Sequence, residues 1–217
     1  MTVVKDAPGV QGHEVRGRQG MPRPRRRRVV LVVVLAVAAV AALTVWLWDD
    51  LTSNRSVYVV GDSITYLSEP SISADFSNAG YQADVSATPG VKIGQSQANI
   101  TALAKNQPAA WIIELGTNDA GAQDTVWPEQ FLAEWSAVSP ASCVIYVTVS
   151  PRAGVVAQQI DASMQKLAQA HSNVHLLDWG NLEYQNPAWV SGDGIHPTPA
   201  GQAALAALET HALQQDC

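Results

Sequence analysis

From Val57 onward, five short runs rich in β-branched and aromatic residues alternate with longer segments of helical character. The runs are Val57–Val60, Tyr81–Ala87, Ala110–Leu115, Cys143–Val149 and Val174–Asp178. Apart from the more polar second run, their near-continuous apolarity predicts strands buried on both faces. Between them, helices are predicted over Leu67–Ala79 (broken or delayed by Pro70), Ile93–Lys105, Trp127–Val138 and Val155–His171. A last helix, Pro199–Gln214, has Thr198 as its N-cap. Strand followed by helix, repeated, requires right-handed crossovers and a parallel sheet covered on both faces, which defines an α/β domain. About 160 residues are enough for a proper core.

The segment before this domain has the opposite character. Eight of the chain's 13 basic residues precede Val29, against two of its 19 acidic ones. The rest of the chain is therefore strongly acidic, which argues against nucleic acid as its partner. Residues 1–28 carry Gly, Pro and Arg without apolar periodicity and read as a disordered tail. Val29 to Trp48 is uncharged over 20 residues. At ~1.5 Å per residue, a helix of that length spans a hydrocarbon core of roughly 30 Å. Arg25–Arg28 in front of it predicts a cytoplasmic N-terminus, with the domain outside a single-pass anchor and residues 49–55 as the linker. The alternative is a cleaved signal peptide and a secreted domain. Small-residue sites such as Ala36-Val37-Ala38 lie inside the apolar run, whereas a signal peptide ends a run of about 7–15 residues.

The chemistry gathers where strands end. Val57–Val60 runs into Gly61-Asp62-Ser63, and ligands of open α/β sheets bind beyond the carboxyl ends of the strands. Gly61 is expected to permit a sharp turn, and Ser63 to open a helix whose first N–H groups are free to meet negative charge. Ala110–Leu115 runs into Gly116-Thr117-Asn118-Asp119, and Asp193-Gly194-Ile195-His196-Pro197 precedes the last helix. A serine hydroxyl is a weak nucleophile without a base, and an imidazole oriented by a carboxylate is the usual base. Asp62 and Asp119 are expected to bond turn backbone, and His171, His175 and His211 to have surface or packing roles. Trp127, Trp179 and Trp189 lie in or beside predicted loops, where each can pack or line a pocket. Trp189, shortly before Asp193, is the candidate substrate contact. Cys143 and Cys217 either form a single bridge tying the end of the chain to the sheet or stay as free thiols. No spacing resembles a zinc site and no Gly-rich loop cradles phosphate, so neither a metal nor a cofactor is expected.

With Gly90 after the second strand, these blocks together resemble the SGNH, or GDSL-type, serine hydrolase family over about Ser56 to Cys217. The resemblance implies a three-layer α/β/α sandwich with strand order 2-1-3-4-5 over residues 56–217. It places the nucleophile on Ser63, the base and its acid on His196 and Asp193, and the oxyanion hole on the Ser63 N–H, Gly90 and Asn118. Ile64 stands where the family commonly has leucine. The block around Gly90 matches loosely, with Gly80 as the alternative. The expected activity is hydrolysis of acyl or acetyl esters, of small molecules or of envelope glycans or lipids. The absence of an obvious lid insertion suggests an open site. Two alternatives stand beside it: an O-acyltransferase using the same triad on a sugar hydroxyl, and a catalytically silent envelope-binding module.

Overall fold

The computed structural model describes residues 30–42, 44, 55–121, 127–138 and 142–217. The chain divides into two units, residues 1–53 and 54–217. In the first, residues 30–42 are helical, with exposed valines and leucines such as Val30, Leu31 and Val40. The helical stretch described is shorter than the predicted span of 29–48, and among the described residues no helix is long and apolar enough to cross a membrane. The tail 1–28, both ends of the predicted span and nearly all of the linker lie outside the described residues.

The second unit is an α/β domain. Its strands are β1 (Ser56–Gly61), β2 (Gln82–Ala87), β3 (Ala110–Glu114), β4 (Cys143–Val147) and β5 (Val174–Leu177). All pair in parallel, in the order β2-β1-β3-β4-β5. The period-2 alternation of strand side chains divides the core into two layers. Tyr58, Val60, Trp111, Ile113, Val144 and Tyr146 face one side, where they meet α2 (Ile93–Leu103), α3 (Trp127–Ala137) and α4 (Ala157–Ala170). Val57, Val59, Ile112, Ile145 and Val147 face the other, against α1 (Ser63–Asn78) and α6 (Pro199–Asp216). The three-layer arrangement follows directly from that alternation.

Two local readings need correction. α1 starts at Ser63 and continues through Pro70 without interruption. Proline removes a donor to the carbonyl four residues back, here that of Tyr66. Both Tyr66 and Pro70 are on the exposed face, where water can serve that carbonyl. A short helix α5 (Trp179–Gln185), followed by a single turn at Pro187–Trp189, occupies what the sequence presented as loop. Trp179 is buried there and stacks on Trp189, the ring planes 2° apart and the centroids 5.8 Å apart. Tertiary packing, not apolar periodicity, holds this element.

Cys143, at the start of β4, and Cys217, after α6, are joined in a disulfide. It closes a loop across a sequence separation of 74, a constraint on the unfolded chain worth about 2–4 kcal/mol. α6 also carries a cost. Glu209 is fully buried, neither carboxyl oxygen has a hydrogen-bond partner among the described residues, and burial raises its pKa from 4.5 to about 8. Between these values the unfolded chain releases a proton that the folded one retains, so stability falls as pH rises through that window. The slope is about 1.4 kcal/mol per pH unit for one such group. Glu209→Met is therefore expected to raise the melting temperature, by more at pH 8 than at pH 5. Equal gains at the two pH values in thermal melts would show that Glu209 does not titrate with folding.

Candidate active site

The site assembles at the carboxyl edge of the sheet. Ser63 is the first residue of α1, directly beyond β1. Asp62 is the N-cap of that helix, and its Oδ1 accepts from the Ile64 N–H at 2.9 Å. The neighbouring Thr65 N–H donates to Glu114 Oε2 at 3.2 Å. Among the described residues, the Ser63 N–H has no protein acceptor and is left for a ligand. Gly61 does not turn the chain by adopting a left-handed conformation. It lacks a Cβ because the Thr65 side chain folds back into the space that one would fill.

His196 and Asp193 come from the segment between α5 and α6. Its ends are clamped by a bridge between Val190 and Pro197 and by the Ser191 N–H donating to the His196 carbonyl at 2.8 Å. Gly194 takes φ +74° at the tip, a conformation that favours glycine. Asp193 Oδ1 gathers the Ser191 hydroxyl (2.8 Å), the Ile195 N–H (2.9 Å) and the His196 N–H (3.0 Å). Its Oδ2 lies 2.7 Å from His196 Nδ1, and His196 Nε2 lies 3.0 Å from Ser63 Oγ. The imidazole bond, then the backbone bonds and the serine hydroxyl, hold the Asp193 carboxyl below the usual carboxylate range. An ionised Asp193 selects the tautomer with the proton on Nδ1, leaving Nε2 to accept from the Ser63 hydroxyl. Hydroxyl, imidazole and carboxylate, the first two 133 positions apart in sequence, thus form a continuous proton path. The His196 and Asp193 side chains are 39% and 51% exposed, so the path is open to water.

Asn118 follows β3. Its side-chain nitrogen donates to Asp62 Oδ2 at 2.9 Å and to the Val91 carbonyl at 3.0 Å, which fixes the amide beside the Ser63 turn. Gly90 lies in the turn after β2, with φ +80° and open space where a Cβ would project. The Thr88 N–H donates to the Gly61 carbonyl at 3.0 Å, which extends the β1–β2 ladder and brings this turn toward Ser63. Gly80, the alternative, precedes β2 and so lies at the opposite edge of the sheet. Asp119 Oδ2 accepts from the Ile93 N–H at 3.1 Å at the start of α2, a backbone role like that of Asp62. Trp189 packs against the buried cluster through Trp179, and Trp127 is buried. His171 stacks on Trp135, as a packing role requires. Among the described residues no group of three or more potential metal ligands converges. A cavity of about 380 Å³ beyond β4 and β5, lined by residues including Thr148, Asp161 and Asp178, shares no residue with this site. Glu114 belongs to no motif, although a lone acid in the apolar run Trp111–Leu115 marks a place where a buried charge needs partners.

A serine thus opens the helix after β1, and a histidine–aspartate loop precedes the last helix. The model of the GDSL-like Lipase/Acylhydrolase family matches residues 59–204, and the chain belongs to that family. It is 31% identical over 166 residues to YrhL of Bacillus subtilis, named as a candidate peptidoglycan O-acetyltransferase, across 74% of this chain and 24% of that protein. It therefore spans about a quarter of the length of that relative. Among solved structures, the C-terminal catalytic domain of Streptococcus pneumoniae peptidoglycan O-acetyltransferase A superposes with a TM-score of 0.63 at 17% identity, covering 74% of this chain and 93% of that domain. The acetylxylan esterase Axe2 of Geobacillus stearothermophilus gives 0.61 at 15% identity, covering 73% and 94%. At these identities the two structures establish a shared fold.

Proposed function

We propose that the chain is a serine esterase that removes acyl or acetyl groups from hydroxyls, with envelope glycans as the substrate class. The observation that carries this reading is the unbroken path from Ser63 Oγ through His196 to Asp193. Ser63 Oγ attacks the ester carbonyl carbon while His196 Nε2 takes the hydroxyl proton. The oxyanion is met by the Ser63 N–H, the Gly90 N–H and the Asn118 amide. Nε2–H then protonates the departing alcohol as the carbon–oxygen bond breaks, leaving acyl-Ser63. Water enters, gives a proton to His196 and releases the acid, restoring the hydroxyl. Exposure of the His196–Asp193 pair supports access for that water.

A second reading is favoured by the relatives named as peptidoglycan O-acetyltransferases: a sugar hydroxyl takes the place of water in the second step. The distinction is chemical and measurable. The full-length chain is incubated with p-nitrophenyl acetate, with and without a glycan acceptor, and with an acetylated glycan. Release of acetate without acceptor supports the esterase. Acetylated glycan formed from the p-nitrophenyl ester, with product dependent on acceptor, supports the transferase. Failure to release p-nitrophenol under every condition counts against both readings and favours the silent binding module.

As part of the same proposal, the domain works outside the cytoplasm, tethered by a single helix over residues 29–48 with the basic tail inside. The charge order of the sequence and the disulfide support this placement, since such bridges persist in oxidising compartments.

A further inference from the structure

Beneath the Ser63 turn lies a set of buried side chains that the acyl chemistry leaves unassigned. Glu114, the last residue of β3, is buried and stands in register with Gly61 of β1. Its Oε2 accepts from the Thr65 N–H at 3.2 Å and from the Thr65 hydroxyl at 2.9 Å. Its carboxyl also faces that of Asp62, near enough for each group to act on the charge of the other. Asp62, buried in turn, accepts from the Ile64 N–H and from the Asn118 amide. The Thr65 side chain occupies the space left by the missing Cβ of Gly61. One connected cluster therefore runs Thr65–Glu114–Asp62–Asn118. It ties the first turn of α1, which carries Ser63, to the loop after β3.

Two buried carboxyl groups can face each other at low cost only if one of them holds a proton. Burial pushes both above the ordinary range, and Glu114, further raised by the charge of Asp62, is the more strongly affected. Glu114 therefore holds the proton, and Asp62 stays free to accept from Ile64 and Asn118. Asp119 and His196 also face Asp62, with opposite effects on its charge. The first turn of α1 brings Thr65 but no acid.

We propose that Glu114 is the positioning residue of this site, holding the first turn of α1 through Thr65 and standing against Asp62, and so fixing the Ser63 turn and the direction of the Asn118 amide. The proposal rests on the acyl-transfer reading above. Both hydrogens of the Asn118 amide are committed in the free protein, to Asp62 and to Val91. An oxyanion gains a share of one of them when its competitor is weak. The proton on Glu114 keeps a second negative charge away from Asp62 and so keeps its hold weak. Loss of that proton leaves two buried anions face to face and strengthens the hold of Asp62 on the amide.

The test compares full-length wild type with Glu114→Gln, Glu114→Leu and Thr65→Val, using p-nitrophenyl acetate across a pH series. Glutamine reproduces the neutral acid, with its amide nitrogen facing Asp62 and its oxygen accepting from Thr65. Glu114→Gln is expected to keep kcat within about threefold of wild type and to lose the alkaline limb that deprotonation of Glu114 produces. Glu114→Leu is expected to lower kcat about a hundredfold with KM little changed, as misplacement of catalytic groups does. Thr65→Val is expected to lower kcat about tenfold. The infrared difference between wild type and Glu114→Gln should contain the band of one protonated carboxyl. Wild-type kcat in Glu114→Leu, equal impairment in the Gln and Leu variants, or an unchanged alkaline limb in Glu114→Gln would each overturn the proposal. If Glu114→Leu does not fold, Glu114→Gln and Thr65→Val decide the matter. If wild type cleaves no ester, the acyl reading fails; the infrared band still decides whether Glu114 holds the proton, and its absence overturns the proposal on its own.

Discussion

Replacing Ser63 or His196 by alanine is expected to lower kcat for a p-nitrophenyl ester by about four orders of magnitude or more, with the fold unchanged. Among the described residues Ser63 Oγ bonds His196 and His196 Nδ1 bonds Asp193, and neither side chain is part of the buried core. Melting temperature and circular dichroism should stay close to wild type in both variants. The two residues act as a unit, and the double variant should be no slower than the worse single one. Activity within tenfold of wild type in either alanine variant would remove the nucleophile–base assignment.

Asp193→Asn is expected to cost about 10⁴ in kcat while leaving the surrounding turn largely formed. The asparagine oxygen can still accept from the Ile195 and His196 N–H groups, as Asp193 Oδ1 does. What it removes is the negative charge 2.7 Å from Nδ1. Without that charge the imidazole is free to take the wrong tautomer, and the imidazolium formed during attack loses its stabilisation. In wild type the same bonds keep the Asp193 carboxyl well below its ordinary 3.8. It therefore remains ionised as the pH falls through the ordinary carboxylate range, and the pH–rate profile should show no loss of activity from its titration there. A loss smaller than tenfold in kcat for Asp193→Asn would show that the carboxylate neither orients nor stabilises the ring.

The sheet was legible because parallel strands buried on both faces are largely apolar, as Val57–Val60, Ala110–Leu115 and Cys143–Val149 are apart from Glu114 and Thr148. β2 was harder to read because it is an edge strand with partly exposed residues. The continuity of α1 from Ser63 through Pro70 was hidden, since local propensity cannot show that Tyr66 and Pro70 lie on the exposed face of the helix. α5 escaped because two stacked tryptophans, not a periodic stripe, hold it in place. Ser63 and Asn118 stood out by their position after strands, Asp193 and His196 by their type before the last helix, and their roles came with the family resemblance; the structure brings Ser63, His196 and Asp193 into one hydrogen-bonded line. What the sequence did not disclose is the layer below. The reason for Gly61 is the side chain of Thr65, the reason for Thr65 is Glu114, and neither relation lies between neighbours in the chain. The disulfide was an open alternative because pairing depends on a Cα–Cα separation, here 5.7 Å, that spacing in sequence does not give.

If His196 activates the Ser63 hydroxyl, Ser63 should react with electrophiles that spare ordinary serines. The most direct test is reaction of the full-length chain with a fluorophosphonate, followed by mass spectrometry of the peptides. One adduct per chain is expected, on Ser63, absent in Ser63→Ala and formed far more slowly in His196→Ala. An unlabelled Ser63, or labelling at the same rate after His196 is removed, would contradict that activation.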